Sequence, residues 1–318
     1  MTPIPVFIIS GFLGAGKTTF LNYILHHQTT HKIAVIENEF GNTALDTTIL
    51  SQDTPLHITT LQNGCICCSS HGELEATLSE LSRQLTHQEI EFTQLIIECT
   101  GMADPGPIIK SFLINDIITE TFQLRGVITL VDALNAPYQF KHFHVTQAQI
   151  GFADLILVSK TDLLENDAQE FTQQLTCMNQ RAEIHPIING KIDLKLLDQL
   201  DGFALSAKSS FLCQEVSTNP LDTQVNSFVI KRSEPFDINA LSLLFEKILH
   251  NFKKQLLRYK AIIYIKDNPE RLLLQGVNQL YNSEFGQVWS KDETPFSEFV
   301  FIGIDLPEEE FRKAFNQL

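Results

Sequence analysis

The sequence predicts an α/β protein that starts with a mostly parallel sheet and ends in a smaller α+β domain. Short apolar runs in its first half alternate with segments long enough for helices. Continuous apolar runs suit parallel strands that are covered on both faces. The length of 318 residues fits two domains at about 150 residues per domain.

The first domain is predicted over residues 1–205. Helices are expected over residues 18–26 and 74–85, where the intervals between apolar runs fit helical periodicity. A stretch rich in Ser, Thr and Asn, residues 206–224, lacks clear periodicity and predicts the linker. The five apolar runs, at residues 5–10, 33–37, 95–98, 127–131 and 155–159, are the predicted strands.

The second domain is predicted over residues 225–318. A helix is expected from about Ile238, because Leu241, Leu244, Phe245 and Ile248 repeat at three and four positions. A terminal helix is expected after Pro307, where three glutamates fill the first turn. The predicted strands lie at residues 227–230, 261–265, 271–275 and 299–304.

Charge and composition exclude several classes of function. The chain has 23 Lys and Arg against 38 Asp and Glu, for a net charge of −15. Binding to nucleic acid or to an anionic membrane surface needs the opposite sign. No run reaches the ~18 apolar residues of a membrane span, and the N-terminus lacks a basic signal-peptide region. We therefore expect a cytoplasmic protein with neither nucleic-acid nor membrane partners.

A phosphate-binding motif follows the first predicted strand. The segment GFLGAGKT fits G-x-x-x-x-G-K-[ST] and precedes a predicted helix. Its backbone N–H groups would surround phosphate oxygens, Lys17 would reach the β and γ phosphates, and Thr18 would bind Mg²⁺. The alternative is a glycine-rich turn without a ligand. The predicted nucleotide contacts here are Gly11, Phe12, Leu13, Gly14, Ala15, Gly16, Lys17, Thr18 and Thr19.

An acid at the end of the third apolar run suits the same nucleotide. Glu98 would lie near Mg²⁺, and Thr100 and Gly101 would follow it beside the γ phosphate, where glycine lets a backbone N–H approach. The alternative is a solvated strand end. Residues 37–46 form a possible switch segment, in which Asp46 is the expected residue to align the attacking water.

The segment Ser159-Lys160-Thr161-Asp162 predicts guanine specificity. Asp162 can accept hydrogen bonds from the N1–H and 2-amino groups of guanine, which adenine does not offer, and the Lys160 stem can cover the ring.

Three cysteines, Cys65, Cys67 and Cys68, lie within four positions after the possible switch segment. Thiolates are soft ligands that favour metals such as Zn²⁺, and a tetrahedral site needs a fourth ligand from elsewhere. A buried structural trio or a thiol redox pair is the alternative. Glu75 and His71 follow closely and are further candidate ligands, as is the pair His142 and His144.

These motifs together resemble the CobW-like metallochaperone GTPases, most closely the bacterial zinc chaperones. The resemblance implies that Cys65, Cys67 and Cys68 bind the metal with Glu37 as a carboxylate partner. Two positions differ from the family pattern, Asn42 in place of an acid and Ser159 in place of Asn. The matching segments are GFLGAGKTT, ENEFG, NGCICC, ECTGMADP and SKTD, followed by RYK, LLLQGV and VFIGI near the C-terminus.

The sequence and the resemblance together predict a GTP-hydrolysing metal chaperone with slow turnover. It would bind GTP or GDP, Mg²⁺ and Zn²⁺, with Co²⁺ or Ni²⁺ as other possible metals. Its second domain would dock on a metal-dependent client protein, and a homodimer is possible. The alternatives are a small-molecule kinase built on the same phosphate loop and a regulatory GTPase whose zinc is purely structural.

Overall fold

The computed structural model describes residues 2–37, 72–164, 168–203, 224–290 and 292–318. The chain divides into two compact units that are not continuous in sequence. The first holds the described residues of Met1–Gln149, Ala153–Ala168 and Glu183–Gly202; the second holds those of Ile150–Phe152, Gln169–Ala182 and Phe203–Leu318. Apart from Gln224, the predicted linker lies outside the described residues, and the predicted domain boundaries remain predictions.

A parallel sheet of six strands forms the centre of the first unit in the part of the chain described. Its order is β2-β3-β1-β4-β5-β6, and every neighbouring pair is parallel. The predicted parallel sheet is therefore confirmed. The strands are β1 (Ile4–Gly11), β2 (Ile33–Glu37), β3 (Gln94–Glu98), β4 (Phe122–Asp132), β5 (Leu155–Ser159) and β6 (Glu183–Ile187).

Helices connect these strands, as parallel pairing requires. The first, α1, packs Phe20, Leu21, Ile24 and Leu25 into the core, at the spacing of one helix face. The described helices are α1 (Lys17–His27), α2 (Gly72–Thr86), α3 (Gly106–Ile114), α4 (Asp116–Thr121), α5 (Ala136–His142), α6 (His144–Phe152), α7 (Ala168–Met178) and α8 (Lys195–Gln199).

An antiparallel sheet with two further helices forms the C-terminal part of the second unit. Its order is β10-β9-β8-β11-β7, so the last strand inserts between the first two strands of the sheet. This confirms the predicted α+β organisation. The elements are β7 (Val225–Arg232), α9 (Ile238–Asn251), β8 (Leu256–Tyr264), β9 (Glu270–Val277), β10 (Leu280–Val288), β11 (Ser297–Ile304) and α10 (Glu308–Asn316).

Many aromatic side chains lie in the core of the second unit. Phe245 from α9 and Phe311 and Phe315 from α10 pack against Phe299 and Phe301 of β11. All five are at most 4% exposed. None of the helices in the described ranges is both long and apolar enough to cross a membrane.

Candidate functional site

The phosphate loop joins the central strand β1 to α1. Gly16 has φ 101°, a left-handed conformation that glycine adopts without steric cost, and it directly precedes the first helical residue. Lys17 turns its ammonium back over the loop, where Nζ donates to the carbonyl oxygens of Gly11 at 2.9 Å and Phe12 at 3.1 Å. The loop thus places a lysine charge beside its own backbone, the arrangement that suits a polyphosphate.

Thr18 and Glu98 meet at the carboxyl edge of the sheet. The Thr18 hydroxyl donates to Glu98 Oε1 at 3.1 Å, which joins the first turn of α1 to the end of β3. Thr18 is exposed and Glu98 is partly buried. A hydroxyl and a carboxylate side by side offer the oxygen ligands that Mg²⁺ prefers.

The loop after β3 packs directly on the phosphate loop. A side chain at Gly101 would place its Cβ 2.5 Å from the backbone nitrogen of Leu13, so only glycine fits there. The loop is closed by a hydrogen bond from Ala103 N to Thr100 O at 3.0 Å, and Cys99 N donates to Ile9 O at 2.8 Å. Thr100 and Gly101 therefore lie beside the phosphate loop.

Gln149 of α6 also belongs to this arrangement, although no sequence motif points to it. Its side-chain nitrogen donates to Gly101 O at 3.2 Å and to Ala103 O at 2.9 Å. It lies among apolar residues of a helix with no motif around it, so the sequence carries no local signal for it.

The predicted guanine loop is tied to the phosphate loop through its first residue. Ser159 Oγ donates to Ala15 O at 2.8 Å, so serine supplies a brace at the position where the resemblance leads us to expect Asn. Asp162 follows in a short 3-10 turn, Thr161–Leu163, and its side chain is exposed. The structure thus brings the guanine loop to the phosphate loop and leaves the Asp162 carboxylate accessible.

Asp132 holds the lysine of the guanine loop in place and is a second residue that the sequence analysis misses. Lys160 Nζ lies 2.7 Å from Asp132 Oδ2, and the Asp132 side chain is only 2% exposed. Burial raises the pKa of the Asp132 carboxyl, but hydrogen bonds from Lys160 and Asn135 and the Lys160 charge lower that pKa more, so the net shift is downward. The carboxyl stays ionised at neutral pH and fixes the Lys160 stem.

The predicted metal ligands are only partly covered by the structure. Glu37 ends β2, where its Cα pairs with that of Glu98 in the parallel register. Glu75 lies in the first turn of α2 and is partly buried. Cys65, Cys67 and Cys68 lie outside the described residues, as do Asp46 and His71.

The other candidate histidines, His142 and His144, lie in two different helices. His142 ends α5 and stacks on Tyr138 with ring centroids 4.3 Å apart, whereas His144 begins α6. Within the described ranges, no group of three or more His, Cys, Asp or Glu side chains is arranged to hold a metal ion. Of the remaining cysteines, Cys99 and Cys177 are buried, and Cys213 falls outside those ranges.

Comparisons with known proteins identify the family of this chain. The profile of the CobW/HypB/UreG nucleotide-binding domain matches residues 5–186, and that of the C-terminal domain of the cobalamin synthesis protein CobW matches residues 225–318. The zinc chaperone YjiA of Escherichia coli is 45% identical, over 100% of this chain and 99% of that protein. The zinc chaperone CobW of Pseudomonas aeruginosa is 27% identical, over 97% of this chain and 89% of its own length.

Solved structures of YjiA are similar to this chain over its whole length. The crystal structure of Zn(II)-bound YjiA GTPase from E. coli matches with a TM-score of 0.83 and 43% identity, covering 100% of this chain and 99% of the other. A Zn(II)-bound triple mutant of YjiA GTPase matches equally well, with a TM-score of 0.83 and 42% identity.

Proposed function

The chain belongs to the CobW/HypB/UreG family of nucleotide-binding proteins, and from that premise we propose that it is a GTP-hydrolysing chaperone that binds zinc and delivers it to client proteins. The observation that carries the nucleotide part is the hydrogen bond between Thr18 and Glu98 next to a phosphate loop that holds the Lys17 ammonium over its backbone. It joins a phosphate-binding loop and an acid at one edge of the sheet.

GTP hydrolysis follows from this arrangement mainly through positioning and charge. Backbone N–H groups of the loop and the Lys17 ammonium would bind the β and γ phosphates. Thr18 and Glu98 would hold Mg²⁺, which neutralises charge on the phosphates as the bond to the γ phosphate breaks. Gly101 N–H would meet the γ phosphate. Asp46 is proposed to align the attacking water, because it lies in the segment that follows β2.

Base selection is assigned to the loop that follows β5. Asp162 would accept from the N1–H and 2-amino groups of guanine, and the Lys160 stem, fixed by Asp132, would cover the ring. The brace from Ser159 to Ala15 would keep the base site at a set distance from the phosphate site.

Zinc is the proposed cargo of the C-x-C-C segment. Cys65, Cys67 and Cys68 would supply three thiolates, and Glu37 would supply a carboxylate in one nucleotide state; Glu75 is a further candidate ligand. The pairing of two strand ends supports a link between the zinc site and the nucleotide site. Glu37 is the last residue of β2, and its Cα pairs with that of Glu98, the last residue of β3. A change in the residues around the γ phosphate and Mg²⁺ would therefore reach the zinc ligands through a neighbouring strand end.

The second unit, with residues 225–318, is proposed to dock on the metal-dependent client. A homodimer and a cytoplasmic location remain predictions from the sequence.

A zinc-transfer assay tests the proposed cycle. The zinc-loaded protein is mixed with a fluorescent zinc chelator and Mg²⁺ together with GTP, a non-hydrolysable GTP analogue, GDP or no nucleotide. We expect zinc to leave faster while GTP is being hydrolysed than with the analogue, and we expect Lys17→Ala to remove that difference. Equal transfer rates under all four conditions would overturn the chaperone cycle and favour a structural zinc.

A further inference from the structure

We propose that Gln149 is a positioning residue for GTP hydrolysis, which holds the loop after β3 so that Gly101 meets the γ phosphate. The inference rests on the proposed GTPase function and adds to it a residue that lies outside every nucleotide-binding motif of the chain. Gln149 acts through the loop and is not assigned a contact with GTP.

The Gln149 carboxamide is hydrogen-bonded to the loop after β3. The residue is 1% exposed, and its NH₂ group donates to Gly101 O at 3.2 Å and to Ala103 O at 2.9 Å. A primary amide has two N–H donors, so both are used on this one loop. Two carbonyl groups on either side of Met102 are thus held by a single side chain.

Gln149 is itself held in place by a residue of β4. The Thr129 hydroxyl donates to Gln149 O at 2.9 Å, and Thr129 is 1% exposed. Thr129 lies on β4, where its Cα pairs with that of Ser10 at the end of β1, one residue before the phosphate loop. The loop after β3 is therefore tied, through Gln149 and Thr129, to the same part of the sheet that carries the phosphate loop.

The loop after β3 and the phosphate loop approach each other closely. Because a Cβ at Gly101 would lie 2.5 Å from Leu13 N, the loop after β3 is packed on the phosphate loop with no room to spare. A small displacement of Gly101 would move its N–H relative to the γ phosphate. GDP has no γ phosphate, so its binding should not depend on this position. We call the two hydrogen bonds from Gln149 to Gly101 O and Ala103 O the clamp. Loss of the clamp should have a specific signature, which is weaker discrimination between GTP and GDP.

The test compares two buried glutamines of the same helix. Gln149→Met removes both donors at similar volume. Gln147→Met is the matched control, because Gln147 is also buried, at 4% exposure, and donates to Phe140 O at 2.8 Å instead of to the loop. Each variant is measured for its Kd for GDP, its Kd for a slowly hydrolysed GTP analogue, kcat for GTP and its melting temperature.

For Gln149→Met we expect the preference for the GTP analogue over GDP and the value of kcat each to fall about tenfold, the usual size of one lost buried hydrogen-bond contribution. We expect its Kd for GDP to stay within about twofold of wild type. Gln147→Met should lose a similar amount of thermal stability and keep both the preference and kcat. A merely structural role for Gln149 would make the two variants alike.

The outcomes separate this inference from the proposed function. If the wild type does not hydrolyse GTP, the proposed function is wrong and the inference falls with it. If the wild type hydrolyses GTP and Gln149→Met keeps its preference and kcat, the inference alone is overturned. If Gln149→Met does not fold, Thr129→Val replaces it; a loss of about threefold in the same preference supports the clamp, and no loss overturns it.

Discussion

The two sheets of the protein differ in where their site-forming and core-forming side chains lie. In the parallel sheet of the first unit, the polar groups Thr18, Glu98 and Ser159 lie at or beside the carboxyl ends of strands and bond across loops. In the antiparallel sheet of the second unit, Phe299 and Phe301 lie within the last strand and pack against helices. Substitutions at the first set should change nucleotide chemistry and leave stability nearly intact, whereas substitutions at the second set should do the reverse.

The largest effect is expected from Phe301→Ala in the aromatic core. Phe301 is fully buried and its ring lies 5.0 Å from that of Phe311 and 5.8 Å from that of Phe315. Removing a buried Phe side chain costs about 3–5 kcal/mol, since it combines lost burial with a cavity. Urea unfolding should show this loss, while the GTP affinity of the folded protein stays unchanged. Tyr281→Ala is the control, because Tyr281 is 52% exposed; an equal loss in the two variants would contradict the core assignment.

Lys17→Ala should remove most of the GTPase activity. Single groups that stabilise charge in a transition state contribute on the order of 10²-fold to kcat, and Lys17 is the cation that the phosphate loop holds. The matched control is Lys32→Ala, since Lys32 forms an exposed ion pair with Glu91 at 2.6 Å and such pairs contribute little. A phosphate-release assay in which Lys17→Ala stays within tenfold of wild type would refute the role of the phosphate loop.

Asp162→Asn should weaken GTP about tenfold or more and leave ATP nearly unchanged, because it turns one acceptor oxygen into a donor that faces the donors of guanine. Asp198→Asn is the control, as Asp198 has a side chain that is 58% exposed near His31. The measurement is the Kd for each nucleotide by titration calorimetry. Equal losses for GTP and ATP would argue against base readout by Asp162.

Ser159→Ala should have the smallest effect on nucleotide affinity, and this effect should not depend on the base. It removes the hydrogen bond to Ala15 O, which contributes about 1 kcal/mol, and should weaken GTP, GDP and ATP by a similar factor of about five. The brace acts on the phosphate loop that all three nucleotides share. A loss confined to guanine nucleotides would instead place Ser159 in base readout.

The sequence predicted two kinds of element well. These are strands that are buried on both faces and helices whose first turn carries a strong end signal. The five apolar runs of the first unit are all strands, because parallel strands buried on both faces leave a continuous apolar signal. It did not predict β6, whose sequence EIHPI is short and contains a proline, or β10, whose residues Leu280–Val288 are mostly exposed at the edge of the second sheet. Their pairing partners, and not their own composition, make them strands.

The same distinction applies to the site. Lys17 and Thr18 were predictable, since phosphate chemistry fixes their spacing within the loop motif. Glu98 was predictable because it is an acid at the end of an apolar run, three residues before Gly101. Gln149 and Asp132 were not, because each acts on a segment that is distant in sequence and nothing near it repeats a pattern. The fold determines which buried polar residue reaches the loop, so such residues become visible only with the structure.

Zinc affinity measured in three nucleotide states tests most directly whether zinc and GTP share a switch. A competing chelator titration would be run with a non-hydrolysable GTP analogue, with GDP and without nucleotide, each in Mg²⁺. We expect the GTP state to change zinc affinity by about 5 to 150-fold, with zinc changing the affinity for the analogue by the same factor. Glu37→Ala should keep partial zinc binding and lose this difference. Equal zinc affinity in all three states for the wild type would contradict the coupling.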